Sequence, residues 1–300
     1  MPFLDLPDVR LNYVSMGPNE PHGDRAPFLL VHGLAANLAF WYLRIAPALA
    51  RHHRVVMLDL RGHGRSSMPR TGYSGDGIAE DLRDLLDHLG VDRVHIAGHS
   101  FGGNAALHFA CLFPERTASL TLADVRVRSV QPKVELQEWA AWPHCRSYFD
   151  KLGIRIDEKA EDIGFELFER VAHIRLEQPE RLAESLAQVA SPFTGIGGEA
   201  AARRWLELMA TTSAREELSK GAVIHREEIA ALTMPALLVY GELSQALPSA
   251  FGLQKILSRA QLEIVPGAGH FFPAKFPDRL AAPLLAFVDR IRIPEAIAAA

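Results

Sequence analysis

The residues with the clearest chemical meaning are Gly98-His99-Ser100-Phe101-Gly102, a G-x-S-x-G pattern that Gly103 extends. The pattern directly follows an apolar run at 94–97 and opens a helical stretch from about 101 to 113. In such a strand–turn–helix context the turn is sharp, and glycines flank the serine because larger side chains would collide with the neighbouring strand and helix. We therefore predict that Ser100 is a nucleophile, lifted above a sheet edge at a helix N-terminus that favours negative charge.

A serine hydroxyl also needs a base, because it is a weak nucleophile until an imidazole removes its proton. His270 follows the last predicted strand in a glycine-rich loop, and we predict that it is this base. The chain has 13 histidines, so most of them must be structural or on the surface. His99 lies beside the nucleophile in sequence, but as the variable residue of the pattern its side chain is expected to point elsewhere.

The elements that must position these residues alternate between strands and helices. Continuous apolar runs bounded by turn residues are typical of parallel strands buried on both faces. Between Asp76 and Gly90 the apolar residues return on one helical face, and Gly90 stands where a C-terminal cap is expected. The alternation predicts an α/β fold with a mainly parallel sheet and helices on both faces. The predicted strands cover 28–31, 55–58, 94–97, 118–123, 236–240 and 262–265, and a final helix runs from about 274 to 292.

The alternation is interrupted after Ala123 and resumes at Ala236. We predict a core domain formed by 1–124 and 229–300, with a helical cap, or lid, inserted at 125–228. Most aromatic residues of this insert are expected to pack it together, and a few to line an apolar substrate pocket below the lid. Its helical stripes are Ile163, Leu167, Val171 and Ile174, then Leu182, Leu186 and Val189. Its aromatic residues are Trp139, Trp142, Tyr148, Phe149, Phe165, Phe168, Phe193 and Trp205.

With these residues the chain resembles the α/β-hydrolase superfamily, in its cap-bearing branch of esterases, lipases and C–C bond hydrolases. Three further segments carry the resemblance. Val31-His32-Gly33-Leu34 is similar to the family's oxyanion-hole turn, the segment 59–66 (DLRGHGRS) to its D-x-R-G-x-G-x-S turn, and 266–270 (PGAGH) to the segment that bears the catalytic histidine. The resemblance implies an α/β-hydrolase fold and a serine hydrolase.

The resemblance also implies where negative charge is stabilised during the reaction. Two backbone N–H groups, those of Leu34 and Phe101, are expected to form the oxyanion hole. His32 is expected to order the oxyanion turn, and His63 is expected to be structural.

The third member of the catalytic triad departs from the family pattern. In most relatives the acid follows the strand that ends here at Tyr240, in the form of a glycine, two residues and an aspartate; here Gly241-Glu242-Leu243-Ser244 places a serine at that position. Asp124, at the carboxyl end of the strand 118–123, is the first candidate, because some relatives take their acid from the equivalent strand end. Glu242, a Ser–His dyad or another carboxylate are the alternatives.

Composition narrows the partners and cofactors. A net charge of −4 offers no broad basic field for nucleic acid or anionic membrane. Two cysteines, Cys111 and Cys145, make no disulfide framework and no C-x-x-C metal pair. No metal or cofactor is expected, and the glycine cluster 195–198 fails the context of a nucleotide-binding loop. No membrane span and no signal peptide are expected, so the cytoplasm is the expected location.

The most direct functional hypothesis is hydrolysis of a carboxylic ester of an apolar small molecule through an acyl-enzyme on Ser100. C–C bond hydrolysis and a biosynthetic thioesterase or cyclase use similar machinery and stay open. So does a small-molecule sensor with a slow triad. Epoxide hydrolases and dehalogenases of this family normally carry an aspartate nucleophile, and Ser100 argues against both.

Overall fold

In a computed structural model of the chain, the described residues are 2–18, 26–134, 136–139, 142–156, 163–183, 192–194, 197–220 and 223–291. Eight strands form one sheet in the order β1-β2-β4-β3-β5-β6-β7-β8. From β4 to β8 all neighbouring strands are parallel, whereas β2 pairs antiparallel with both β1 and β4. The strands are β1 Phe3–Asp5, β2 Arg10–Met16, β3 Phe28–Val31, β4 Val55–Leu58, β5 Val94–His99, β6 Thr117–Ala123, β7 Ala236–Gly241 and β8 Ala260–Val265.

The helices of the described chain follow the predicted alternation. They are α1 Ala39–Tyr42, α2 Ala46–Leu49, α3 Gly75–His88, α4 Phe101–Leu112, α5 Trp142–Lys151, α6 Ile163–Glu177, α7 Pro179–Ala183, α8 Gly198–Thr211, α9 Ala214–Lys220, α10 Arg226–Ala230, α11 Leu247–Ile256, α12 Phe272–Lys275 and α13 Asp278–Val288. The predicted helix 274–292 is therefore two helices. Pro277 lies at the break, where its ring disfavours helical backbone in the preceding residue.

The central strands are apolar throughout because the side chains of each strand pack into two hydrophobic cores, one on each face of the sheet. Leu29 and Val31 of β3 pack into one buried cluster with α3, α4 and α11, whereas Phe28 and Leu30 pack into another with α1, α2 and α13. Side chains of a strand alternate between the two faces of its sheet, so helices on both faces demand an uninterrupted apolar run. The sequence prediction of a mainly parallel sheet with helices on both faces is confirmed.

Between β6 and β7 the described chain forms helices α5 to α10 and no strand. A third apolar cluster occupies this region, and it includes Ala35 and Tyr73 from the loops beside the sheet. Leu186, Val189, Gly195 and Ile196 lie outside the described residues. The division into a core and a cap at 125–228 stays a prediction.

The D-x-R-G-x-G-x-S turn after β4 has a structural explanation. The Asp59 carboxylate accepts hydrogen bonds from the backbone N–H of Leu38 at 2.7 Å, from that of Arg65 at 2.8 Å and from the Asn12 amide at 2.7 Å. One buried carboxylate thus joins the loop after β3 to the turn after β4 and to strand β2. This fixes the loop after β3, which borders the site described next.

Candidate active site

Ser100 occupies the sharp turn between β5 and α4. Its backbone φ is positive, with φ 55° and ψ −123°, a conformation that non-glycine residues rarely adopt and that stores strain. The flanking glycines make the turn possible. A Cβ atom on Gly98 would lie 2.1 Å from the carbonyl oxygen of Gly102, and one on Gly102 would lie 2.3 Å from that of Val31. The local sequence therefore forces the serine to the end of the strand, above the helix N-terminus.

His270 approaches the serine from the loop between β8 and α12. Its Nε2 lies 3.0 Å from Ser100 Oγ, within hydrogen-bond distance. Its side chain is 16% exposed, so the ring is sheltered from bulk water while one edge stays accessible. Such a geometry lets the imidazole take the hydroxyl proton directly.

Asp124 completes a hydrogen-bonded chain with these two residues. Its Oδ1 lies 2.8 Å from His270 Nδ1, and the residue is fully buried directly after β6. Its backbone φ is also positive, at 56°. Two more donors hold the carboxylate: the Gly241 N–H donates to Oδ2 at 2.8 Å, and the Ser244 hydroxyl donates to Oδ1. Ser244, at the position where the resemblance implies an acid, therefore donates to the carboxylate that reaches His270.

Glu242 has a different partner. Its carboxylate accepts a hydrogen bond from the Gly267 N–H at 2.7 Å on the protein surface. Of the two carboxylates that the sequence offered, Asp124 lies against His270 and Glu242 does not.

The two predicted oxyanion donors border the serine. Phe101 is the first residue of α4, so its N–H has no acceptor within the helix. Leu34 follows Gly33, and a Cβ atom on Gly33 would lie only 3.0 Å from Ser100 Cβ. Neither N–H donates to a protein acceptor among the described residues. Both are therefore available to an oxygen atom beside Ser100 Oγ.

A cavity of about 120 Å³ opens beside Ser100. Most of its lining is apolar. The lining residues come from the loop after β3, from helices α1, α6 and α12, from the turn that carries Ser100 and from the segment 192–194. The lining residues are Gly33, Leu34, Ala36, Phe40, His99, Ser100, Phe168, Pro192, Thr194, Phe271 and Ala274. Of the aromatic residues predicted for the insert, Phe168 reaches this cavity, and Trp142, Tyr148, Phe149, Phe193 and Trp205 are buried in the third apolar cluster.

The other histidines named from sequence have different surroundings. His32 is buried; its Nε2 accepts from the Leu60 N–H at 3.1 Å, and its Nδ1 lies 2.8 Å from the carbonyl oxygen of Gly33. Burial lowers its pKa despite the nearby charge of Asp59, so a neutral ring connects the oxyanion turn to the turn after β4. His63 bonds the carbonyl oxygen of Arg61, and burial lowers its pKa to about 3.

Sequence reasoning missed two features of the site. It expected the His99 side chain to point elsewhere, but His99 lines the cavity, and its Nε2 lies 2.9 Å from the main-chain oxygen of His270. It also missed the support of Asp124 by Gly241 and Ser244. The serine in the acid's usual place was the available signal, because a hydroxyl there can donate to a carboxylate on the adjacent strand.

Comparisons with known proteins agree with this fold. A family model described as the alpha/beta hydrolase fold matches residues 26–275. A fluoroacetate dehalogenase from Burkholderia sp. is 29% identical, over 97% of this chain and 94% of that protein. A solved membrane phospholipase A superposes with a TM-score of 0.72 at 24% identity, covering 97% of this chain and 86% of that one. The chain is a hydrolase of the α/β-hydrolase family.

A local similarity is higher in identity but short. A dihydrolipoyllysine-residue acetyltransferase component of an acetoin cleaving system, from Pseudomonas putida, is 45% identical over 32% of this chain. The match spans about a quarter (26%) of that protein's length. Within the described residues, none of the helices combines the length and apolar character needed to cross a membrane.

Proposed function

We propose that the protein is a serine hydrolase that cleaves small carboxylic esters through an acyl-enzyme on Ser100. The observation that carries this proposal is the continuous hydrogen-bonded chain from Ser100 Oγ through His270 to Asp124, opening on an apolar cavity. Nucleophile, base and orienting acid in this order are the arrangement that activates a serine for acyl transfer.

The reaction follows from the roles of these residues. His270 Nε2 takes the proton of Ser100 as Oγ attacks the ester carbonyl, and Asp124 stabilises the imidazolium that forms. The N–H groups of Leu34 and Phe101 stabilise the oxyanion of the tetrahedral intermediate. His270 then gives its proton to the leaving alcohol as the ester C–O bond breaks. The acyl group stays attached to Ser100. A water molecule, deprotonated by His270, then attacks the acyl carbon; the bond from that carbon to Ser100 Oγ breaks, His270 returns the proton to Oγ, and the acid is released.

A serine nucleophile argues against the chemistry in the name of the dehalogenase relative. Displacement of a halide by a carboxylate forms an ester, which water can cleave. The same displacement by Ser100 would form an ether, which this site has no means to hydrolyse. Acyl transfer, by contrast, returns Ser100 to its starting state in each cycle.

The cavity supports an acyl group of a few carbons. Its volume of about 120 Å³ compares with the roughly 10–15 Å³ that a single water molecule requires on the same measure. Phe168, Pro192 and Thr194 of the insert line it together with Ser100, which supports the proposal that 125–228 act as a lid.

The experiment that tests this function compares wild type with Ser100→Ala on p-nitrophenyl acetate, butyrate and octanoate. We expect kcat/KM to fall from butyrate to octanoate, and Ser100→Ala to lower kcat by a factor of about 10⁴ or more. A fluorophosphonate should label wild type once per chain and leave Ser100→Ala unlabelled. Ser258→Ala, which changes an exposed serine, is the matched control and should keep both turnover and labelling. Turnover that survives in Ser100→Ala would refute the proposal.

A further inference from the structure

We propose that His99 Nδ1 is a hydrogen-bond acceptor for the substrate, and that it selects acyl groups with a hydroxyl or N–H donor on the carbon next to the carbonyl. The inference rests on the proposed acyl transfer at Ser100 and adds a substrate class to it. No sequence motif assigns this role to His99.

The His99 ring is held rigidly at the wall of the cavity. The residue is 2% exposed, at the end of β5. Phe40 stacks on its ring with centroids 4.7 Å apart and planes 21° apart. The His270 ring lies beside it, with centroids 4.9 Å apart. These two ring contacts and the burial of the residue hold the ring in place.

The hydrogen bond at Nε2 decides which nitrogen carries the proton. Nε2 lies 2.9 Å from the main-chain oxygen of His270, and a carbonyl oxygen can only accept, so Nε2 is the donor. Burial and the nearby His270 lower the pKa of His99 to about 3, so the ring is neutral near pH 7. A neutral imidazole with its proton on Nε2 has a lone pair on Nδ1.

Nδ1 lies beside the nucleophile. A Cβ atom on Gly33 would lie 3.5 Å from His99 Nδ1 and 3.0 Å from Ser100 Cβ, so the ring nitrogen and Ser100 both border the backbone of Gly33. Gly33, His99 and Ser100 all line the cavity. Among the described residues, Nδ1 has no protein hydrogen-bond partner. A hydrogen-bond donor on a substrate in the cavity would pair with this acceptor.

The position of Nδ1 determines which carbon of the substrate carries the donor. The acyl carbon binds Ser100 Oγ, and the next carbon enters the cavity beside Gly33. A hydroxyl or N–H on that carbon can reach Nδ1, which favours 2-hydroxyacyl esters over acyl groups without a donor there.

The test compares phenyl esters of 2-hydroxyacetate, 2-fluoroacetate and acetate. Fluorine is similar to a hydroxyl in size and withdraws electrons, but it cannot donate a hydrogen bond. Phenol release gives kcat/KM, which is divided by the rate of hydroxide-catalysed hydrolysis of each ester. We expect wild type to prefer the hydroxy ester over the fluoro ester by about tenfold, the value of one hydrogen bond.

His99→Phe keeps a packed ring but has no nitrogen. It should lower the rate of all three esters, because the contact with the His270 main chain is lost, and it should bring the hydroxy-to-fluoro ratio to about one. A wild-type ratio near one, or a ratio that His99→Phe leaves unchanged, would overturn the proposal. The wild-type ratio decides even if the variant fails to fold. Absence of Ser100-dependent phenol release from all three esters would instead overturn the proposed function.

Discussion

Replacing Asp124 with asparagine tests the acid of the proposed triad with little disturbance of the fold. Asp124 has φ 56°, and asparagine is among the few side chains that tolerate a positive φ. The amide is nearly the same size as the carboxylate and can still accept from the Gly241 N–H. It carries no charge, however, and cannot stabilise an imidazolium at His270.

The structure sets the expected size of the effect. Asp124 Oδ1 lies 2.8 Å from His270 Nδ1 in a fully buried position, so bulk water cannot compensate for the loss of the negative charge. An orienting carboxylate in this role is worth about 10⁴-fold in kcat, or roughly 5.5 kcal/mol of barrier. We expect Asp124→Asn to lower kcat on p-nitrophenyl acetate by about 10³- to 10⁴-fold, with a smaller change in KM and an unchanged circular dichroism spectrum.

Two further variants make this assay decisive. Glu242→Gln changes the carboxylate that bonds the Gly267 N–H on the surface, and should change kcat by less than about threefold. Ser244→Asp in the Asp124→Asn background returns a carboxylate to the side chain that contacts Asp124 Oδ1, and should recover part of the lost rate. Near-normal turnover in Asp124→Asn, with collapse in Glu242→Gln, would refute the assignment of the acid.

Two other predictions concern stability. Glu217 accepts hydrogen bonds from the backbone N–H groups of Gly72, Tyr73 and Ser74. Burial alone would raise its pKa, but these bonds and the bond from Ser213 hold the pKa below its usual value. Glu217→Gln should therefore lower the free energy of unfolding in urea by about 1–3 kcal/mol, and the exposed Glu216→Gln should lower it by less than about 0.5 kcal/mol. Burial lowers the pKa of His95 from 6.5 to about 3 in the folded protein. The contribution of the neutral ring to the free energy of unfolding is therefore complete above pH 6.5 and is lost as the pH falls from there towards 3. The slope of unfolding free energy against pH between 6 and 4 should become shallower by about 1.4 kcal/mol per pH unit in His95→Gln, and an unchanged slope would contradict the assignment of a neutral buried ring.

The sequence predicted the central sheet well because its signals are local. The runs at 28–31 and 55–58 are strands with the predicted bounds, since continuous apolar residues there serve two cores at once. The short antiparallel strands β1 and β2 were not predicted. Strand β2, Arg10–Met16, mixes buried and exposed positions, and strand β1 has only three residues, too few for a periodic pattern.

The candidate site was predictable to a different degree for each residue. Ser100 was predictable because the glycines around it fit a sharp turn in which larger side chains would clash with the backbone. His270 was predictable because it follows the last strand in a glycine-rich loop. The inward direction of His99 was not predictable from the motif, because it depends on the stacking of Phe40 and on the main chain of His270. Those contacts join segments far apart in the chain.

The choice between Asp124 and Glu242 depends on strand register, which the sequence does not contain. Strands β6 and β7 are parallel neighbours with Ala123 opposite Val239, so both end at the same edge of the sheet, within reach of one histidine. Asp124 N–H donates to the Val239 carbonyl at 2.9 Å, which places its carboxylate against Gly241 and Ser244. Either strand end can therefore supply an acid, and the neighbouring strand end then supplies hydrogen-bond donors to it. A serine at 244 fits a carboxylate at 124, because two ionised carboxylates in hydrogen-bond contact would repel each other.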